Sequence, residues 1–165
     1  MFRKLLIALL MTVFSSVTLA DEASSGKFAL EGFFAGTANI LDAGNGNLTV
    51  TYDGVMGVRA IDGTTFGDMS TWHCAGSLTA LGGKFDNERG ICKWQFADGD
   101  TAFMTYVGSG ALGKPASGTG RFIGGTGKYE KISGEFSFTR QSLKSAKAGY
   151  VQAHNMTTGT YSLNQ

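Results

Sequence analysis

Through most of this chain apolar side chains return at every second residue, and glycines punctuate the runs. Leu48, Val50, Tyr52, Met56 and Val58 share one parity, while Thr49, Thr51, Asp53 and Arg59 fall on the other. Trp72, Cys74, Leu78 and Ala80 repeat the pattern against Thr71, His73, Ser77 and Thr79, and Cys92, Trp94 and Phe96 repeat it against Lys93 and Gln95. Phe28, Leu30 and Phe34, then Phe136 and Phe138, then Tyr161 and Leu163, carry it toward both ends. A period of two places alternate side chains on opposite faces of a strand, so each segment has one dry face and one wet face. Helices are poorly served by the same sequence. Of 165 residues, 25 are glycine, and glycine inside a helix costs about 1 kcal/mol relative to alanine.

The turn signals agree. Gly44-Asn45-Gly46, Asp62-Gly63, Gly82-Gly83 and Asp98-Gly99 separate the alternating runs, and such pairs suit tight hairpin connections. About eight strands result, with Gln141 to Ala148 left as a polar, basic loop or short helical turn. A sheet with one dry face must cover it, either by curling into a barrel or by acquiring a second sheet. The consecutive hairpins favour an all-β, eight-stranded antiparallel barrel, of a size that holds packed side chains or one small ligand. Folding at Asp98-Gly99 as a two-residue turn sets Trp94 opposite Phe103 and Cys92 opposite Thr105, which turns Phe103 inward. Centring a hairpin on Gly82-Gly83 sets Cys74 opposite Cys92. Cross-strand neighbours are close enough for a disulfide, and no second thiol pair or Cys-x-x-Cys spacing supports a zinc or redox site instead.

The first residues read differently. Arg3 and Lys4 precede an almost wholly apolar run, Leu5 to Phe14, and a small-residue stretch ends at Thr18-Leu19-Ala20. That layout predicts a secretory signal peptide over residues 1–20, leaving a single barrel domain over 21–165. The run is shorter than the ~20 residues a membrane span needs. The expected destination is the periplasm or the exterior, where an oxidising environment suits the disulfide. Removing Arg3 and Lys4 from the 14 basic residues leaves them one short of the 13 acidic ones. With no basic stripe, nucleic acid is excluded as a partner. No basic amphipathic segment suggests a membrane-surface role, and no membrane insertion is expected after cleavage.

Few residues invite chemistry. His73 and His154 fall on wet parities, and two histidines are too few for a typical catalytic zinc site. Asp98 and Asp100 are explained by their turn. The segment before Lys128 lacks the spacing of a phosphate loop, and no G-x-S-x-G is present. No metal or cofactor is expected. The residues of interest are those on the dry parity. Tyr52 could present its hydroxyl to a ligand or bond a backbone group, and Trp72, Trp94, Phe96, Phe103 and Phe136 could line a cavity or fill it. Glu31 and Glu135 face water unless the register slips by one.

The stretch Gly118-Thr119-Gly120-Arg121-Phe122-Ile123-Gly124-Gly125-Thr126-Gly127-Lys128-Tyr129-Glu130-Lys131-Ile132-Ser133-Gly134 resembles bacterial proteins with an allene oxide cyclase-like barrel domain. More distantly it is similar to plant allene oxide cyclases and dirigent proteins. The blocks His73-Cys74-Ala75-Gly76, Gly90-Ile91-Cys92 and Asp98-Gly99-Asp100 resemble the same family. The resemblance implies a calycin-like barrel, admits an isomerase or cyclase activity without assigning catalytic residues, and suggests homo-oligomers. In physical terms, the glycines of this block let the chain turn so that Tyr129 and Ile132 plug a barrel end. Two functions follow as expectations. One is an exported, disulfide-stapled barrel that binds a small apolar or aromatic molecule, which asks for a cavity of about 300 Å³ or more. The alternative is a non-enzymatic structural or interaction module with a filled barrel.

Overall fold

Each glycine-marked turn joins two antiparallel strands, and the hairpins follow one another around a closed sheet. The structure is a computed structural model and describes residues 24–163. The expected signal peptide therefore lies outside the described residues. The strands are β1 (Ser25–Asp42), β2 (Leu48–Ala60), β3 (Ser70–Ala80), β4 (Lys84–Gln95), β5 (Thr101–Ala111), β6 (Ala116–Gly125), β7 (Ile132–Ser133), β8 (Glu135–Leu143) and β9 (Tyr150–Leu163). Eight long strands pair in the order β1-β2-β3-β4-β5-β6-β8-β9, and β9 returns to β1 to close the barrel. The two-residue β7 pairs with the end of β9, and a 3-10 turn covers Gly127–Tyr129. β9 begins at Tyr150, well before Tyr161 and Leu163, where the alternation is legible in the sequence. Its inward positions Asn155, Thr157 and Gly159 are not apolar and hide the alternation there, and pairing with both β1 and β8 extends the strand regardless.

The parities decide what lies inside. Phe28, Leu30, Met56, Val58, Trp72, Cys74, Cys92, Trp94, Phe122, Phe136, Tyr161 and Leu163 are all buried in one cluster. Cys74 stands opposite Cys92, and the two form a disulfide with Cα atoms 4.1 Å apart.

One register differs from expectation. Gln95 pairs with Thr101, so Trp94 faces Ala102 and Cys92 faces Met104. The Phe96 amide donates to the Asp100 carbonyl (3.0 Å), and the Gly99 amide donates to the Phe96 carbonyl (3.2 Å), with Gly99 at φ +95°. This is a three-residue loop ending in a positive-φ glycine rather than a two-residue turn. One extra residue flips every side chain of the following strand. Phe103 therefore faces outward and is only half-buried, and Ala102, Met104 and Tyr106 take the interior.

The two barrel ends differ. At one end Phe66, from the β2–β3 connection, and Tyr129 fold over the opening. Tyr129 stacks on Phe96 with ring centroids 3.9 Å apart, and Phe66 stacks on Tyr161 at 3.7 Å. Ile132 is buried beside them, so the plug expected of the glycine block is formed. The Asp98 carboxylate takes the Lys128 ammonium at 2.9 Å and the Asp100 carboxylate takes the Lys128 amide at 3.2 Å, tying two turns of this closed end together. At the other end the turns after β1, β3 and β5 bond one another: the Gly83 amide donates to the Gly46 carbonyl and the Leu112 amide to the Gly83 carbonyl, each at 2.8 Å. Among the described residues no aromatic ring from a connection folds over this end; Phe85, from β4 itself, packs there against Ala80, Ala116, Leu48 and Leu78.

Candidate functional site

Toward the open end the interior residues turn polar. Glu88 continues the inward parity of Trp94, Cys92 and Gly90 along β4 and is 1% exposed. A bulge after Phe85 lets both Phe85 and Glu88 face inward, despite their opposite parities. Arg140 does the same on β8, beyond Phe136 and Phe138. Its guanidinium meets the Glu88 carboxylate in a two-pronged pair, Nη1 to Oε1 at 2.6 Å and Nη2 to Oε2 at 2.7 Å. The Tyr52 hydroxyl donates to Glu88 Oε1 at 2.6 Å and lies 2.6 Å from the Tyr106 hydroxyl. Tyr52 has one proton and gives it to the carboxylate, so Tyr106 is the donor to Tyr52. The proton order runs from Tyr106 through Tyr52 to Glu88.

Space for this cluster comes from missing side chains. A Cβ at Gly90 would collide with the Tyr106 hydroxyl, one at Gly76 with both tyrosine hydroxyls, and one at Gly108 with the Glu88 carboxylate. Burial pushes the Tyr106 phenol up to about 12; its bond with Tyr52 acts against this, and the Glu88 charge adds to it. Burial raises Tyr52 as well, aided by Tyr106 and by the Glu88 charge. For Arg140 burial works against the charge, but the bonds to Glu88 outweigh it and its pKa is raised. The guanidinium is therefore permanently charged and its charge is spent on Glu88.

Beside the cluster lies an inner cavity of about 70 Å³, walled by Phe34, Met56, Trp72, Phe136, Phe138 and the Cys74–Cys92 disulfide, with Tyr52, Tyr106, Arg140, Asn155 and Thr157 supplying its polar edge. A wider mouth of about 210 Å³ shares Phe34, Tyr52 and Arg140 with it and continues to Ile40, Val50, Leu112 and Lys114 at the open rim. Trp72 and Trp94 sit together, ring centroids 4.9 Å apart. The Trp94 indole N–H donates to Ser70 Oγ at 2.6 Å. The Trp72 Nε1 has no acceptor, and among the described residues it is the buried side-chain polar atom left without a partner.

Of the residues read as able to line or fill a cavity, Tyr52, Trp72 and Phe136 lie on the wall of the inner cavity. Trp94 and Phe96 are instead packed into the filled closed end, and Phe103 is on the outside. The Tyr52 hydroxyl finds a carboxylate and a phenol rather than a backbone group. Glu88 and Arg140 were missed, although both extend dry parities by one or two steps. A charged residue on a dry parity is the available signal, because an ionised group is almost never fully buried without a partner. Tyr106 was hidden by the misread turn. Of the wet-face residues, Glu31 accepts from Arg59 at 2.8 Å and contacts His154 at 3.0 Å. Those two partners hold its carboxyl below the usual carboxylate range. His73 meets Asp53 at 3.0 Å on the exposed surface.

No protein-family model matches the chain, and no curated protein matches its sequence. Among solved structures it is similar to the pterocarpan synthase dirigent protein GePTS1, with a TM-score of 0.50 and 12% identity over 88% of this chain and 90% of that one. The pterocarpan synthase dirigent protein PsPTS1 aligns at a TM-score of 0.43 and 12% identity, over 88% of this chain and 99% of that one. At such identity the first likeness is one of fold, and the chain has the eight-stranded barrel of a dirigent protein.

Proposed function

We propose that this barrel binds one small, neutral, largely apolar molecule whose hydrogen-bond acceptor, a carbonyl, ether or hydroxyl oxygen, meets the Trp72 indole N–H. The observation that carries this reading is the bare Trp72 Nε1 in the wall of an apolar cavity, where Tyr52, Tyr106 and Arg140 are all partnered. A buried donor without a partner costs about 1–3 kcal/mol, which a ligand acceptor would recover. Neutrality of the head follows from the charge pairing beside the inner cavity: Arg140 and Glu88 cancel, and no other charged residue lines that cavity. Size follows from the volumes. The inner 70 Å³ takes the acceptor-bearing head and the 210 Å³ mouth takes the remainder. Neither alone reaches the volume first expected.

The polar cluster supports binding better than catalysis. Glu88 has both oxygens committed and its side chain is wholly inaccessible, so it has no free lone pair aimed at a ligand. An isomerase or cyclase step would have to rest on confinement. Export, with loss of residues 1–20, and kinship with allene oxide cyclase-like barrels through the Gly118 to Gly134 block belong to the same proposal; the disulfide fits an oxidising compartment. The filled-module alternative draws on the closed end, where Phe28, Phe66, Trp94, Phe96 and Phe122 pack together in one buried cluster.

The test is binding of neutral aromatic ketones and phenols, followed by tryptophan fluorescence and calorimetry. Trp72→Phe keeps an aromatic ring at the wall and removes the donor; it should weaken binding about tenfold, the worth of one buried hydrogen bond. Ligands that bind the Trp72→Phe variant as well as the parent, or no binding across the panel, would refute the proposal.

A further inference from the structure

The open rim gathers residues that no linear scan brings together. Four connections meet there: β1–β2, β3–β4, β5–β6 and β8–β9. These connections and the strand ends beside them carry Ile40, Leu41, Leu81, Leu112, Leu143 and Tyr150, half of the exposed large apolar side chains among the described residues. Leu41 is 75% exposed and Leu81 69%, each close to a turn tip. Monomeric proteins seldom gather so many at one end unless the surface meets something apolar.

The same rim is cationic. Lys84, Lys114, Lys144 and Lys147 stand around it against Asp42 and Asp86, while Glu88 is buried and neutralised by Arg140. Lys84, Lys114 and Lys144 are exposed and form no ion pair among the described residues, and Lys147 lies over the Tyr150 ring at 4.1 Å. The closed end has the opposite balance, with Asp62, Asp68, Asp98, Asp100 and Glu130 against Lys27, Lys128 and Lys131. A chain of net charge +1 thus has two poles.

Exposed leucines interleaved with lysines around the mouth of an apolar cavity fit one kind of partner. We infer that the open rim docks on the surface of an anionic lipid bilayer, the leucines entering the headgroup layer and the lysines contacting lipid phosphates and carboxylates. A protein partner would need a complementary relief, whereas a bilayer accepts apolar tips and a positive ring at any rotation about the barrel axis. The contact is peripheral, since each tip reaches only interfacial depth. It would place the cavity mouth against the phase in which apolar molecules dissolve. The docking stands without the ligand proposal, and the two are tested separately.

The full chain is co-sedimented with vesicles of phosphatidylserine and phosphatidylcholine in equal parts, and with phosphatidylcholine alone, at low salt. Each interfacial lysine contributes about a fivefold change in affinity for anionic lipid. Lys84→Gln with Lys114→Gln should therefore weaken binding to the anionic vesicles about twenty-five-fold, and Leu41→Ser with Leu81→Ser should weaken it further. Lys27→Gln with Lys131→Gln, at the closed end, should leave it unchanged. Any contribution of residues 1–20 is common to parent and variants and cancels in the comparison. Hydrogen exchange on bound protein should show protection over 43–47, 81–83 and 112–115. Rim variants that bind like the parent, protection confined to the closed end, or a lipid-independent dimer dissolved by Leu81→Ser would overturn the inference.

Discussion

Replacing Arg140 by methionine tests the reading of the polar cluster most directly. In the parent, Glu88 accepts two guanidinium bonds at 2.6 and 2.7 Å and one phenolic bond at 2.6 Å, with no side-chain surface open to water. Arg140→Met preserves much of the side-chain length but strands the carboxylate with Tyr52 as its one donor. Breaking a buried ion pair from one side costs about 3–5 kcal/mol, because the remaining charge has no water to return to. The reverse change is milder. Arg140 keeps 19% of its side chain exposed at the mouth, so in Glu88→Met the guanidinium can rehydrate, and the loss should be about 1–3 kcal/mol. The double variant removes both charges and should lie within about 1 kcal/mol of the parent or above it, since apolar replacements of buried pairs are often neutral or stabilising. Urea unfolding of the four proteins with the disulfide intact gives the cycle. In melting temperature the Arg140→Met loss corresponds to about 8–16 °C for a domain of this size. A loss below about 1 kcal/mol for Arg140→Met would mean that the pair behaves like an exposed one. A double variant as unstable as Arg140→Met would show that packing, rather than the stranded charge, sets the cost. Either result would refute the reasoning.

Alkaline stability should report the phenols. Burial holds Tyr106 at about 12 in the folded state against 10.0 in the unfolded chain. The raised folded value means that its contribution is intact below pH 10 and is lost as pH rises toward 12, at roughly 1.4 kcal/mol per pH unit for each tyrosine so affected. Tyr106→Phe should flatten that slope in urea titrations between pH 10 and 12, and an unchanged slope would count against a buried, protonated Tyr106. Two glycines should respond oppositely to alanine. Gly90→Ala drives a methyl into the Tyr106 hydroxyl and should cost about 1–3 kcal/mol as overpacking, whereas Gly57, on the outer face with nothing within 4 Å of its would-be Cβ, should be neutral or gain up to about 1 kcal/mol. Equal effects in thermal melts would sink the distinction.

What could be read from the sequence follows from which rules have one outcome. Alternation has two faces, and Trp72, Cys74, Cys92, Trp94 and Phe136 had only one way to point once either face was dry. The Gly82-Gly83 turn brought the two cysteines near one another without fixing their register: it pairs Leu81 with Lys84, which continued regularly would set Cys74 opposite Ile91, and a one-residue shift between that turn and the Ser77–Arg89 pair brings Cys74 opposite Cys92. Asp98-Gly99 admits two loops that differ by one residue, and choosing between them decides the whole orientation of β5. The choice depends on where Phe96 bonds, which is a tertiary matter. Phe103 and Tyr106 exchanged faces for that reason alone. The open rim lay beyond sequence reading for a different reason: its lysines and leucines come from four separate turns, and only barrel closure makes them neighbours.

The interior is divided by composition. At the closed end the inward positions carry Phe28, Trp94, Phe96 and Phe122, with Phe66 and Tyr129 added from the connections, and they pack solid. Farther along the same strands inward positions become glycine, with Gly76 facing Gly90 and Gly108 facing Gly118. The volume they release is occupied by the two phenol hydroxyls, the Glu88 carboxylate and the edge of the Phe138 ring. An apolar pair in place of Glu88 and Arg140 would be at least as stable by the argument above, so the pair contributes position more than stability. It fixes Tyr52 by a 2.6 Å bond and Tyr106 through Tyr52, holding both phenols at the edge of the cavity. With those rings fixed, the space beside Trp72 stays open and its indole N–H stays bare. A barrel packed with aromatics from end to end would have neither.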